Sequence, residues 1–181
     1  WNAYSQFFFG SNRKDIVTSS DIDLTQVAGA VFEIGHDWFN TRLSATNGKV
    51  EGLTTQSDIN YYSIAFFAEL SEIMLFTEFT LADITSQYSV LTADEEIKSY
   101  LISASYALNT LTPYLTYSDS RAVAPESFSI YGDIDEQSWI YGVRWDFNAK
   151  ASLKAEYIDK TDHIKASNNA QLASISVDFI F

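Results

Sequence analysis

The residues that could do chemistry here are few in kind. The chain carries 24 acidic and 11 basic residues, two histidines and no cysteine. His163 stands beside Asp159 and Asp162, a grouping that could set a carboxylate behind an imidazole for general-base hydrolysis. One histidine among loop acids is more often simply solvated, and His36 occupies the short turn Gly35-His36-Asp37. No glycine-rich phosphate loop, zinc-ligand cluster or nucleophile elbow is present. The expectation is no catalytic residue, no metal-ligating set and no enzyme. A different chemistry is written in the remaining charges. Glu33, Arg42, Glu69, Glu78, Arg144, Asp146, Lys154, Glu156 and Asp178 all fall within alternating strand patterns, on the phase opposite the apolar residues. Ionisable groups at every second position line one solvated face, where they pair with one another or attract passing ions.

That spacing requires strands to position it. Tyr62, Ile64, Phe66, Ala68 and Leu70 alternate with Tyr61, Ser63, Ala65, Phe67 and Glu69. Trp139, Tyr141, Val143, Trp145 and Phe147 alternate with Ile140, Gly142, Arg144 and Asp146. The closing run does the same, with Ile175, Val177, Phe179 and Phe181 against Ser174, Ser176 and Asp178. Period-two patterning of this kind recurs about ten times, and helical spacing does not compete. Short turns fall near 35–37, 71–72, 109–110 and 148–150, and long loops near 10–22, 46–58, 83–97, 118–137 and 159–170. Pro113, which cannot donate a ladder bond, opens its strand, where it is tolerated.

Composition says what the greasy face meets. Aromatics reach 15 % while hydrophobic residues total only 46 %, and the mean hydropathy is −0.08. No apolar run approaches the roughly 20 residues of a membrane helix, but a spanning strand needs only about 9–11. Strand direction sorts the aromatics to strand ends. Trp38, Phe39, Tyr106, Trp145, Phe147, Phe179 and Phe181 gather near the short turns, and Tyr62, Phe79, Tyr100, Tyr117, Trp139 and Tyr157 near the long loops. Ala104, Leu115, Val143 and Val177 fill the middle. Two aromatic girdles about an aliphatic band are what bilayer interfaces select. The fold expected is all-β: a transmembrane antiparallel up-and-down barrel, residues 1–181 forming one such domain. A net charge of −13 excludes a nucleic-acid partner.

Leu111-Thr112-Pro113-Tyr114-Leu115-Thr116-Tyr117, Trp139 to Phe147, Leu153-Lys154-Ala155-Glu156-Tyr157 and terminal Val177-Asp178-Phe179-Ile180-Phe181 together resemble the last strands of Gram-negative outer-membrane porins. The resemblance implies passive diffusion of small hydrophilic solutes and ions, a homotrimer and no cofactor. It makes Val177, Phe179 and Phe181 the signal read by the barrel-assembly machinery. It places the chain in the bacterial outer membrane with a periplasmic carboxyl terminus, in contact with membrane lipid and lipopolysaccharide. Arg42, Glu69, Glu78, Arg144, Asp146, Lys154, Glu156 and Asp178 become pore-lining candidates.

Porins commonly close with about 16 strands or more, and small barrels tend to be filled by side chains. The start at Trp1, without Met or signal segment, favours the carboxyl-terminal portion of a larger porin. The alternative is a small closed barrel with a structural, adhesive or surface-enzyme role, since barrels of this kind also carry surface proteases and phospholipases. The surplus acid is expected in loops, at Asp15, Asp21 and Asp23, Asp94 to Glu96, Glu126, Asp133, Asp135 and Glu136. There it gives weak cation preference and offers carboxylate oxygens for Ca²⁺ or Mg²⁺.

Overall fold

The computed structural model describes residues 1–12, 23–51, 55–88, 91–122 and 133–179. Ten strands form one antiparallel sheet in strict chain order. They are β1 (Asn2–Asn12), β2 (Asp23–His36), β3 (Phe39–Glu51), β4 (Thr55–Leu70), β5 (Ile73–Tyr88), β6 (Leu91–Tyr106), β7 (Leu111–Ala122), β8 (Ile134–Asn148), β9 (Ala151–Asp162) and β10 (Ala170–Phe179). A 3₁₀ turn over Ala166–Asn168 lies between the last two. Every strand pairs with its sequence neighbour, the up-and-down order expected. Among the described residues β1 pairs with β2 and β10 with β9, so the sheet has two free edges.

Burial is inverted relative to a water-soluble protein. The buried hydrophobics among the described residues are small or few: Val31, Ala65, Ala68, Ile84, Ala93 and Ala122. Ile102, Trp145, Phe79, Tyr141 and Phe179 are all exposed. These belong to one face, which carries Ile64, Phe79, Tyr100 and their period-two neighbours. The other face carries Ser63, Glu78, Ser99 and theirs. An apolar face this wide cannot stay in water; it is built to meet lipid.

The turns fit their residues. Ser71 (φ 58°) and Asn109 (φ 56°) take the left-handed conformation where the chain reverses, and Asn adopts it at low cost. Gln26 (φ 51°) does so at a bulge in β2, between Thr25 and Ala28. At the β9–β10 reversal Asp162 accepts bonds from the Ile164 amide (2.9 Å), the Lys165 amide (2.7 Å) and Asn168 Nδ2 (2.8 Å). Asn169 Oδ1 in turn accepts from the Asp162 amide at 2.8 Å.

Two expectations are corrected. Segments 46–58 and 83–97 are mostly strand: β3 runs to Glu51, β5 to Tyr88, and β6 resumes at Leu91. Consequently Asp23, Asp94, Glu95, Glu96, Asp135 and Glu136 lie on strands, not in loops; Asp15, Asp21 and Glu126 fall outside the described residues. The physical reason is that β4, β5 and β6 are each 16 residues long, more than the about 9–11 a spanning strand needs. Past the bilayer both faces are wetted. Hydrophobic alternation stops there while the backbone ladder continues.

The register reveals the tilt. Tyr62 shares a rung with Leu81 and Lys98, so Tyr100 is one rung lower. Tyr100 pairs with Asp119, which puts Tyr117 and its partner Trp139 a further rung down. Trp139 pairs with Asp159, and Tyr157 is lower again. The girdle therefore drops three two-residue rungs over five strand steps. With the girdle aromatics at one bilayer depth, ~3.3 Å per residue and ~4.8 Å per step make this a strand tilt of roughly 40°, the range of closed barrels.

On the polar face Tyr114 lies over Gly142, where a β-carbon would stand 2.0 Å from Cζ of the ring. The Tyr114 hydroxyl donates to Glu156 at 2.7 Å and fixes the ring there. Gly142→Ala should lower stability by about 1–3 kcal/mol in urea unfolding from lipid vesicles. Combined with Tyr114→Ala it should cost almost nothing further, because the overlap is gone. The Asp162 turn carries a pH dependence. Its bonds, the Lys165 amide first and then Asn168, hold the carboxyl below the ordinary carboxylate range. A depressed folded-state value means the contribution is present above the unfolded value and lost as pH falls through the folded one. Hydrogen-exchange protection of the Ile164 and Lys165 amides should therefore persist at pH 5 and disappear only in strong acid. Asp162→Ala should abolish it at every pH.

Candidate functional site

The polar concave face is the candidate site, and it is assembled rung by rung. Strand alternation brings every ionisable pore-lining candidate onto it. Arg42 stands opposite Glu33 across β2–β3 and beside Ala65 of β4. Asn40 donates to Glu33 at 2.6 Å. Glu78 lies between Ala65 and Leu101, neutral neighbours on both sides. Glu69 occupies the short-turn end of β4, opposite Met74.

The second half of the wall holds the bases. Arg144 and Lys154 face each other directly across β8–β9. Like charges so placed repel, and each is compensated two residues along its own strand. Arg144 Nε donates to Asp146 at 2.8 Å and Lys154 Nζ lies 2.8 Å from Glu156. Lys154 also sits 5.5 Å above the Tyr114 ring. Asp178 accepts from Ser152 at 3.5 Å, a long contact. On the opposite face Val177 pairs with Leu153 and Phe179 with Ala151. Phe181, expected to complete the assembly signal, lies outside the described residues.

Between the charges runs hydroxyl chemistry. Ser44 bonds Ser63 (2.7 Å), Ser99 bonds Ser120 (2.7 Å), Ser103 bonds Thr116 (2.7 Å), Ser118 bonds Ser138 (2.7 Å) and Ser57 bonds Ser86 (2.9 Å). Each is a cross-strand pair on the concave face. Glu136 and Lys160, 2.8 Å apart, close one end of this track. Neither was singled out from sequence as lining this wall. The signal was available in the continuing period of β8 and β9, but Glu136 read as loop acid.

The lipid-facing phase is not free of charge along its whole length. Lys98 and Arg121 pair across β6–β7, one rung beyond Tyr100. Arg121 donates to Asp119 at 3.0 Å and lies 3.7 Å from Asp135, while Lys98 contacts Glu96. The Asp119 carboxylate keeps the Arg121 guanidinium above its ordinary value. All of these lie outside the girdle, where the neighbour is headgroup or water.

The sequence's hydrolytic grouping does not assemble. Asp162 directs its oxygens at the turn amides and Asn168. Asp159 accepts from Gln171 at 3.4 Å. The backbone amide of His163 bonds the carbonyl of Asp135 at 2.8 Å. Among the described residues no group of three or more His, Asp and Glu side chains is placed to hold a metal ion.

No protein-family model matches the chain and no curated protein does. Among solved structures it is similar to OmpTΔL8, the loop L8 deletion mutant of OmpT, an outer membrane protein of Vibrio cholerae. The TM-score is 0.71 at 11 % identity, over 98 % of this chain and 61 % of that one. It also matches the translocator domain of the autotransporter NalP from Neisseria meningitidis at TM-score 0.36 and 12 % identity. That match covers 99 % of this chain and 75 % of that domain. The chain thus spans about three fifths of the length of OmpTΔL8. One expectation is corrected by this match. Outer-membrane barrels are scaffolds for surface hydrolases as well as channels, so scarce histidines do not make the chain a non-enzyme. What the match shows is a fold: ten antiparallel strands in the up-and-down order of outer-membrane β-barrels.

Proposed function

We propose that the chain forms part of the wall of an outer-membrane barrel enclosing a water-filled channel. Small hydrophilic solutes and ions would diffuse through it passively, with a weak preference for cations. The observation that carries this reading is the inverted pair of faces. Exposed aromatics and aliphatics cover the outside, and hydroxyls with compensated charges cover the inside. A wall that only had to pack would fill its interior with apolar side chains.

The two free edges favour a larger barrel over a small closed one. A ten-strand closure would pair β1 with β10, and among the described residues each instead pairs with its single sequence neighbour. Unpaired backbone groups are not tolerated in hydrocarbon, so further strands complete the circle. In this reading the short turns and the carboxyl terminus face the periplasm, and Val177, Phe179 and Phe181 are read by the barrel-assembly machinery. The polar outer extension beyond Tyr100 and Tyr117 meets lipopolysaccharide, with Ca²⁺ or Mg²⁺ bridging its acids. A homotrimer follows from the same resemblance.

Cation preference rests on the excess of acids and on Glu78, whose direct cross-strand neighbours Ala65 and Leu101 are neutral and whose nearest base, Arg42, lies one strand further along the same rung. Purified from outer membranes and placed in a planar bilayer, the protein should give discrete ohmic steps with a reversal potential favouring K⁺. Glu78→Gln should reduce the permeability ratio by up to about twofold. Anion selectivity in the unaltered protein would sink the assignment, as would the lack of any conductance.

A further inference from the structure

The outer girdle has a counterpart on the inner face. Neighbouring residues on a strand point to opposite sides, and the girdle aromatics are adjacent in sequence to hydroxyl residues: Tyr62-Ser63, Phe79-Thr80, Ser99-Tyr100, Tyr117-Ser118 and Ser138-Trp139. Because the girdle follows the strand tilt, the hydroxyls follow it too. Thr80 and Ser99 share a rung, and Ser118 and Ser138 share the next one down. They therefore ring the inner wall at one height across β4 to β8. Thr80, Ser99, Ser118, Ser120 and Ser138 line a groove of about 300 Å³ at this level.

The chemistry of the belt is specific. In a Ser–Ser pair one hydroxyl spends its proton on its partner, and the other retains a proton to donate outward. Each pair thus offers one donor and several lone pairs about 3 Å apart. A vicinal diol presents the same pattern in return. Glu78 stands at one side of the groove and the Lys160–Glu136 ion pair at the other, adding carboxylate acceptors at both sides. Small ions gain almost nothing from neutral hydroxyl pairs. A polyhydroxylated solute exchanges several water bonds for several wall bonds at once.

We infer that this belt is a saccharide-binding track at the outer level of the channel, taking neutral mono- and disaccharides by paired hydroxyl contacts. It rests on the channel reading above and names the solute class that the channel would favour. With the protein reconstituted in a planar bilayer, sucrose should reduce the KCl current saturably. A polyethylene glycol of similar size, lacking vicinal hydroxyls, should not saturate. In Ser99→Ala/Ser118→Ala/Ser138→Ala the half-blocking concentration should rise about tenfold, with KCl conductance nearly unchanged. Ser174→Ala/Ser176→Ala, which removes two hydroxyls of the same face near the β10 edge, should leave the block as it was.

Saturation-transfer NMR of sucrose with the detergent-solubilised protein reads the same site without requiring current. Binding to the unaltered protein that is lost in the triple variant supports the belt even if no channel opens, in which case the channel reading alone fails. No binding to the unaltered protein overturns the inference, and so does equal weakening by the two sets of substitutions.

Discussion

Every backbone amide and carbonyl that enters hydrocarbon must already be bonded, and this constraint shapes the rest of the molecule. It explains why successive strands pair with their neighbours through registers that are almost unbroken from β3 to β7. It also explains why irregularities are placed towards the strand ends, at Gly10/Asn12, Thr25/Ala28 and Trp145/Asn148. The same requirement makes the two free edges the most consequential feature of the sheet. Phe7 and Phe9 on β1 are 81 % and 91 % exposed. Both lie on the lipid-facing phase of the sheet, in register with Ala30 and Ala28 of β2.

Once the ladder is fixed, the period of two links outside to inside. A residue that anchors the wall at the lipid interface dictates where its neighbour stands in the lumen. The outer aromatic girdle and the inner hydroxyl belt are therefore one pattern seen from two sides. Ring contacts such as Tyr117–Trp139 at 4.7 Å and the Ser118–Ser138 bond at 2.7 Å are cross-strand pairs on adjacent rungs of the same two strands. The charges obey a similar economy. Arg144 and Lys154 oppose each other across strands, and each is relieved by an acid two positions along its own.

Much of this was legible in the residues. Ile64 against Ser63, or Val143 against Arg144, states which face is apolar without any tertiary information. The four tight turns were legible as well, because Ser71-Glu72 and Asn109-Thr110 break alternation between two clear strands. The outer halves of β3 to β6 were not. Asp94, Glu95 and Glu96 read as loop because a strand wetted on both faces has no hydrophobic period to detect, yet its ladder persists. Nor could His163 and Asp162 be separated from sequence alone. Their adjacency suggested a pair, and only the turn geometry shows the carboxylate committed to backbone amides.

The sequence by itself determined that strands form, how their faces divide and in what order they run, because alternation and turn chemistry are local properties of the chain. Tertiary structure alone decided the register between strands, and with it the roughly 40° tilt, the levelling of Thr80, Ser99, Ser118 and Ser138 into one belt, and the opposition of Lys98 to Arg121. Register is set by which carbonyl meets which amide across a gap. A one-residue slip would leave every strand's own pattern intact while turning its apolar face inward.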